Sequence, residues 1–238
     1  MATTVTGLTS GSGGGATPSV SSITPTAGRV PIGIVASNVF SGTARTAGIT
    51  GNGLVWVPIT SGEILFGGNV YRCTAFVGVG TPSAGSPTIA LTGISTVNGH
   101  AFAFLELSET NTTTPVVQTV NGSTTGDSPN DYSLTLSALA DASNNAVISI
   151  WCHDNATATQ TPSSGYTELY DVAAGASLDI GIAVHYKVPG TTTPGTTVSQ
   201  DFADIGGVAI EFDWDSGGAV AAPVLNNRFL LTMPLLAQ

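Results

Sequence analysis

Charge is what this chain has least of. Of its 238 residues, 8% are Asp, Glu, Lys or Arg, against roughly a quarter in an average soluble domain. The five basic residues, Arg29, Arg45, Arg72, Lys187 and Arg228, are scattered, and the formal net charge is −10. Neutralising phosphates takes clustered Lys and Arg, so nucleic acid is set aside as a partner, and anionic membrane surfaces with it. Cysteine is also scarce. Cys73 and Cys152 stand alone, neither in a C-x-x-C unit. Their spacing allows a bridge or two free thiols, and it assigns no redox compartment. No apolar run approaches the ~18 residues of a membrane span. The opening M-A-T-T-V-T-G-L-T-S lacks the basic and apolar regions of a secretory signal. Helical periodicity is nearly missing, and the one stretch that shows it, 136–144, is short. The three histidines, His100, His153 and His185, show neither H-E-x-x-H nor H-x-H spacing, so zinc has no motif. No Walker loop, G-x-G-x-x-G or G-x-S-x-G element occurs, and no cofactor is implied.

What is there reads as strand after strand. Apolar residues make up 42% of the chain, with 30 glycines, so the surface must be built from Thr, Ser, Asn and Gly. Strand patterns run over 53–60 (G-L-V-W-V-P-I-T), 70–79, 87–93, 100–108, 132–137, 145–151 and 177–188. In the last of these, Ile180, Ile182, Val184 and Tyr186 alternate with Asp179, Gly181, Ala183, His185 and Lys187. A period of two with one wet side signals an antiparallel sheet packed on one face. Gly- and Pro-rich stretches at 81–87, 121–130 and 188–197 read as turns and loops. The expectation is all-β: a two-sheet antiparallel β-sandwich, jelly-roll-like, over residues 19–218. A Gly/Ser/Thr-rich N-terminal arm, residues 1–18, is expected to be flexible unless a neighbour holds it. A C-terminal tail, residues 219–238, ends in Leu230, Leu231, Met233, Leu235 and Leu236. Chain ends are usually polar. These five are therefore the expected contacts to a partner.

The acids cluster late, in D-F-A-D-I-G-G-V-A-I-E-F-D-W-D-S-G-G from Asp201. At period two, Val208, Ile210, Phe212 and Trp214 share one face, and Glu211, Asp213 and Asp215 fall on the other. A half-buried strand with wet acids explains the pattern. The competing reading is a partial calcium loop, with Asp213 and Asp215 in its first and third positions. Gly217 and Val224, however, stand where oxygen ligands belong. Asp201 and Asp204, in the expected turn before the strand, are further cation candidates. Cys152-His153-Asp154 places three catalytic residue types in a row, but neighbours on a strand point to opposite faces. The trio is expected to mark a strand end. Glu63, Glu106 and Glu168 are the conceivable pair members for glycoside hydrolysis, and Glu106, in an alternating strand, is expected at the surface. Tyr166 and Tyr170 in G-Y-T-E-L-Y would suit either a sugar platform or packing across a sandwich.

Several phrases in order carry a resemblance. They are S-S-I-T-P-T-A-G-R-V-P-I-G-I-V-A-S (21–37), I-T-G-N-G-L-V-W-V-P-I (49–59), N-A-V-I-S-I-W (145–151), G-Y-T-E-L-Y-D-V (165–172) and D-F-A-D-I-G-G-V-A-I-E-F (201–212). Together they resemble a β-sandwich module of tailed-phage virion structural proteins and related bacterial surface proteins. The resemblance implies a non-enzymatic protein on the virion exterior, a capsid decoration or a tail or fibre component, assembled in the host cytoplasm. Its partners would be other virion proteins and copies of itself. Loops rich in Asn, Asp, Thr and Tyr also suit a lectin-like module that binds a host glycan, and a glycosidase-class enzyme is a third reading that rests on the acids alone.

Overall fold

The computed structural model describes residues 3–93, 95–125, 131–154, 158–174, 178–199 and 204–215. Among them there is no helix, so none is long and apolar enough to cross a membrane. Sheet I contains β1 (Thr4–Gly14), β2 (Val30–Val39), β4 (Leu54–Phe66), β5 (Tyr71–Gly80) and β7 (Val97–Ser108). Their order is β1-β7-β2-β5-β4. Sheet II contains β8 (Val116–Thr125), β10 (Ala146–His153), β12 (Thr167–Ala174), β13 (Ile180–Lys187) and β15 (Asp204–Phe212), in the order β12-β13-β10-β15-β8. Neighbours in both sheets run antiparallel. The strands of sheet I all precede those of sheet II, so the chain passes between the sheets once, at 109–115, where a jelly-roll path would alternate.

The sandwich core explains the apolar content. Ile32, Ile34, Ala75, Ala103 and Leu105 of sheet I face Ile148, Ile150, Ile182, Val208 and Ile210 of sheet II in one buried cluster. The outer faces are covered too. Across sheet I lie β3 (Thr46–Thr50) and β6 (Thr88–Thr92), whose Ile49, Ile89 and Leu91 pack on Val35, Phe76, Phe102 and Phe104. Across sheet II lie β9 (Asp131–Ser133), β11 (Gln160–Pro162) and β14 (Gly195–Val198), with Leu134, Leu136 and Tyr166 against Val147 and Trp151. A sheet covered on both sides needs strands that are apolar throughout. Accordingly β2, β10 and most of β7, β13 and β15 are buried at successive residues.

That double coverage corrects the single-faced reading. His185, on the expected wet side of its strand, is fully buried, and so is Glu211. The adjacent glycines of β15 serve one face each. A Cβ on Gly206 would lie 2.6 Å from the Phe66 ring, and one on Gly207 would lie 2.5 Å from the Trp151 indole.

The N-terminal segment is also corrected. Residues 4–14 form an edge strand paired along β7 from Thr4↔Ser108 to Gly14↔Gly99, with Val5 in the core. Serine and threonine tolerate an edge, and its holder is the chain's own sheet. The stretch 136–144 is not helical, because Leu134 and Leu136 donate their N–H groups to Pro194 and Thr192 carbonyls instead. Residues 121–125, expected as loop, continue β8.

Candidate functional site

Glu106 and Glu211 are where sequence and structure differ most. Glu106 is 2% exposed and occupies the outer face of sheet I. Its Oε2 accepts from the Thr26 backbone N–H at 2.7 Å. Its Oε1 accepts from the Thr26 hydroxyl at 2.9 Å and pairs with Arg29 Nη1 at 2.7 Å. The carboxylate thus clamps the turn that leads into β2. Glu211, on the outer face of sheet II, accepts from Ala140 N, Asn145 Nδ2 and Gln118 Nε2 at 2.8, 2.7 and 2.6 Å. It ties β8 and the 137–145 loop to β15. Both acids hold chain segments in register, and both are used up by doing so.

The other acids do not converge either. Glu63 pairs with Arg72 at 3.0 Å and accepts from the Thr74 hydroxyl at 3.0 Å. Glu168 is exposed, opposite His185 across β12 and β13. Burial, then Asp171, raises its pKa. It belongs to sheet II, with Glu63 and Glu106 on sheet I. Asp213 accepts from Asn111 Nδ2 at 3.1 Å and, like Asp215, is half-buried. Positions 217, 218 and 224 of the calcium reading lie outside the described residues, as does Asp201. Asp204 heads β15, its pKa raised by burial.

The Cys152-His153-Asp154 trio splits as strand geometry requires. Cys152 points into the sandwich core. There it neighbours Cys73 of the opposite sheet, and burial together with that thiol raises its pKa well above the usual range. Both cysteines are free and buried. His153 points to the outer layer, and Asp154 follows the strand end. Burial lowers His153 and His185 to about 4. His100 is lowered too, although its Nδ1 lies 2.9 Å from the Gly15 carbonyl oxygen. Tyr170 spans the sandwich, its hydroxyl donating to the Phe104 carbonyl at 3.0 Å, and burial raises it to about 12. Tyr166 is buried, donates to the Thr191 carbonyl at 3.2 Å, and has Lys187 Nζ 5.7 Å from its ring centre. Both tyrosines serve the packing reading.

What remains open is apolar. β4 is an edge strand of sheet I, and Pro58 within it has no N–H to donate to a further strand. Leu54 and Trp56 turn to the outer cluster, so Val55 and Val57 turn inward. In register with Val79 and Val77 of β5, they form a cross-strand valine patch. Sheet II does not reach it. Its edge strand β8 is tied to β4 where Asn121 donates to the Ser61 and Glu63 carbonyls at 3.0 and 2.8 Å. Beyond that point the edges diverge. Val55 is 67% exposed, Val79 50%, Val57 43% and Val117 40%. Between the edges of β4 and β8 opens a cleft of about 600 Å³ whose apolar lining is Pro58, Ile59, Val77, Pro115, Val116 and Val117, the rest being Thr, Ser and Gln. A second hollow of about 370 Å³ shares Val77 and is lined by Arg29, Val79, Glu109 and Asp215. The sequence hides this site, because L-V-W-V is apolar on both faces and does not say which face stays uncovered. Pro58, a mark of an edge strand, is the one local signal. The five C-terminal residues expected to make partner contacts lie outside the described residues. Neither a family model nor a curated protein matches the chain.

Proposed function

We propose that the chain is a non-enzymatic structural subunit on the exterior of a tailed-phage virion, a capsid decoration or a tail or fibre component. The observation that carries this reading is the valine face, open on a molecule in which 8% of the residues are charged. Exposed apolar patches on otherwise polar surfaces mark interaction sites. Each valine taken out of water contributes about 1.5 kcal/mol or more. Few charges also mean few desolvation penalties when two such surfaces meet. The resemblance of 21–37, 145–151 and 201–212 to virion sandwich modules supplies the setting. The apolar run 229–236 is the second contact element, reaching other virion proteins or other copies.

The test separates folding from assembly. In the phage that encodes it, a chain truncated after Asn227 keeps the wild-type Tm and is lost from purified particles. Wild-type incorporation of the truncated chain contradicts the proposal.

A further inference from the structure

We propose that Cys73 and Cys152 form a cross-link site: oxidised together, they make one disulfide that ties sheet I to sheet II through the sandwich core. This inference does not rest on the virion reading.

The first support is position. The chain has two cysteines, and they stand on different sheets, Cys73 in β5 and Cys152 in β10. Both strands are interior, β5 between β2 and β4, and β10 between β13 and β15. Both side chains enter the same core cluster, 1% and 0% exposed. Packing alone asks for no such meeting, because a buried thiol behaves as a small apolar group that any part of a core can take.

The second is the company the pair keeps. Residues directly opposite on neighbouring antiparallel strands share a face. Beside Cys73 on sheet I come Ala36 and then Ala101, and beside Cys152 on sheet II comes Gly206. A disulfide needs Cα atoms ~4.4–6.8 Å apart, nearer than the ~10 Å between packed sheets. Small neighbours let the backbones draw together at this point. Phe66 shows how close the sheets come. Its ring stacks on Tyr71, two residues before Cys73, and lies 2.6 Å from where a Cβ on Gly206 would stand. The cross-strand partner of Cys152 therefore touches the surroundings of Cys73.

The third is the order of events. In the folded chain both thiols are sealed from reagents, and burial with the adjacent Cys73 raises Cys152 well above the usual thiol range. Thiolates are the attacking species, so exchange runs while the chain folds. One cysteine thiolate attacks a low-molecular-weight disulfide such as oxidised glutathione, and a glutathione thiolate leaves. The second cysteine thiolate then attacks the protein sulfur of that mixed disulfide, and the second glutathione leaves. Two protein thiols are oxidised and one glutathione disulfide is reduced. Closure of the sheets brings the two sulfurs together and leaves the glutathione adduct no room.

The fourth is consequence. The backbone passes between the sheets once, at 109–115, so the bond supplies a second covalent tie between them. The loop it closes, from 73 to 152, is roughly 80 residues long, in the range where a cross-link restricts the unfolded chain most.

The experiment is refolding of the full-length chain from urea, either with oxidised and reduced glutathione or with tris(2-carboxyethyl)phosphine. The oxidised product should be a monomer lighter by about 2 Da, the two hydrogens lost. Peptide mapping should join Cys73 to Cys152, and no thiol should take up iodoacetamide in urea until a reductant is added. Its Tm should lie roughly 5–15 °C above that of the reduced form. In Cys73→Ala and in Cys152→Ala, Tm should be the same under both conditions. Two reactive thiols after oxidative refolding would overturn the proposal, as would glutathione adducts or linked dimers in place of the internal bond. A linked chain melting at or below the reduced one would overturn it too, by showing sheets held too far apart for the bond. So would a redox-dependent Tm that survives in both alanine variants. Should either variant fail to fold, the wild-type mass, mapping and melting comparison decides alone.

Discussion

At the scale of single residues, the buried polar groups set the chemistry of stability. Glu106 and Glu211 are tolerated inside because donors already in place satisfy their oxygens. His153 and His185 are buried as neutral rings, with burial lowering both from 6.5 to about 4. A lowered folded-state pKa means that the unfolded chain binds the proton first. Stability is therefore fully present above pH 6.5 and is lost as pH falls from 6.5 toward 4. At pH 4 each histidine costs on the order of 3 kcal/mol. Glu168, Asp171 and Asp204 are raised by burial and act in the opposite sense. Between pH 6.5 and 5, Tm should fall in the wild type and fall less steeply in His153→Gln/His185→Gln, where His100, also lowered by burial, still titrates. An equal slope in both proteins would remove these histidines from the explanation.

At the scale of elements, close approach between strands and rings decides which substitutions are tolerated. Gly207 lies under Trp151, and both are walled in by the layer containing Leu134. Gly207→Ala overpacks this contact and should cost about 1–3 kcal/mol. That corresponds to a drop in Tm of roughly 3–10 °C for a chain of this size. Gly48→Ala, whose Cβ would meet nothing nearer than the Ala90 carbonyl at 4.0 Å, should leave Tm within about 2 °C. Calorimetry on the two variants checks both, and equal melting points would contradict the packing account. The strands over 53–60, 70–79, 145–151 and 177–188 were legible because alternation and β-branched residues persist there. β1 was not, since Gly, Ser and Thr carry no apolar period and become a strand only because β7 offers an edge. Glu106 and Glu211 looked like surface acids because the sequence shows alternation within a strand but not the layer laid over it. Over Glu106 that layer is the 26–29 turn, and over Glu211 it is Gln118 with the 137–145 loop, segments far in sequence from the strand they cover.

At the scale of the whole molecule, two sheets built from successive halves of the chain share one core, each with a covering layer, and they splay at one edge. The splayed edge is where the uncovered valines gather, and it is the feature that a fold-class reading could not locate. With 8% of its residues charged, the chain's contacts are expected to be mostly apolar and hydrogen-bonded. The setting proposed for those contacts is the outside of a phage particle. Subnanometre imaging of purified virions is the most direct test. The expected result is a pair of packed five-stranded sheets on the shell surface, tail or fibre, with residues 229–236 against an adjacent subunit. Virions in which every exterior density is accounted for by other chains would contradict it.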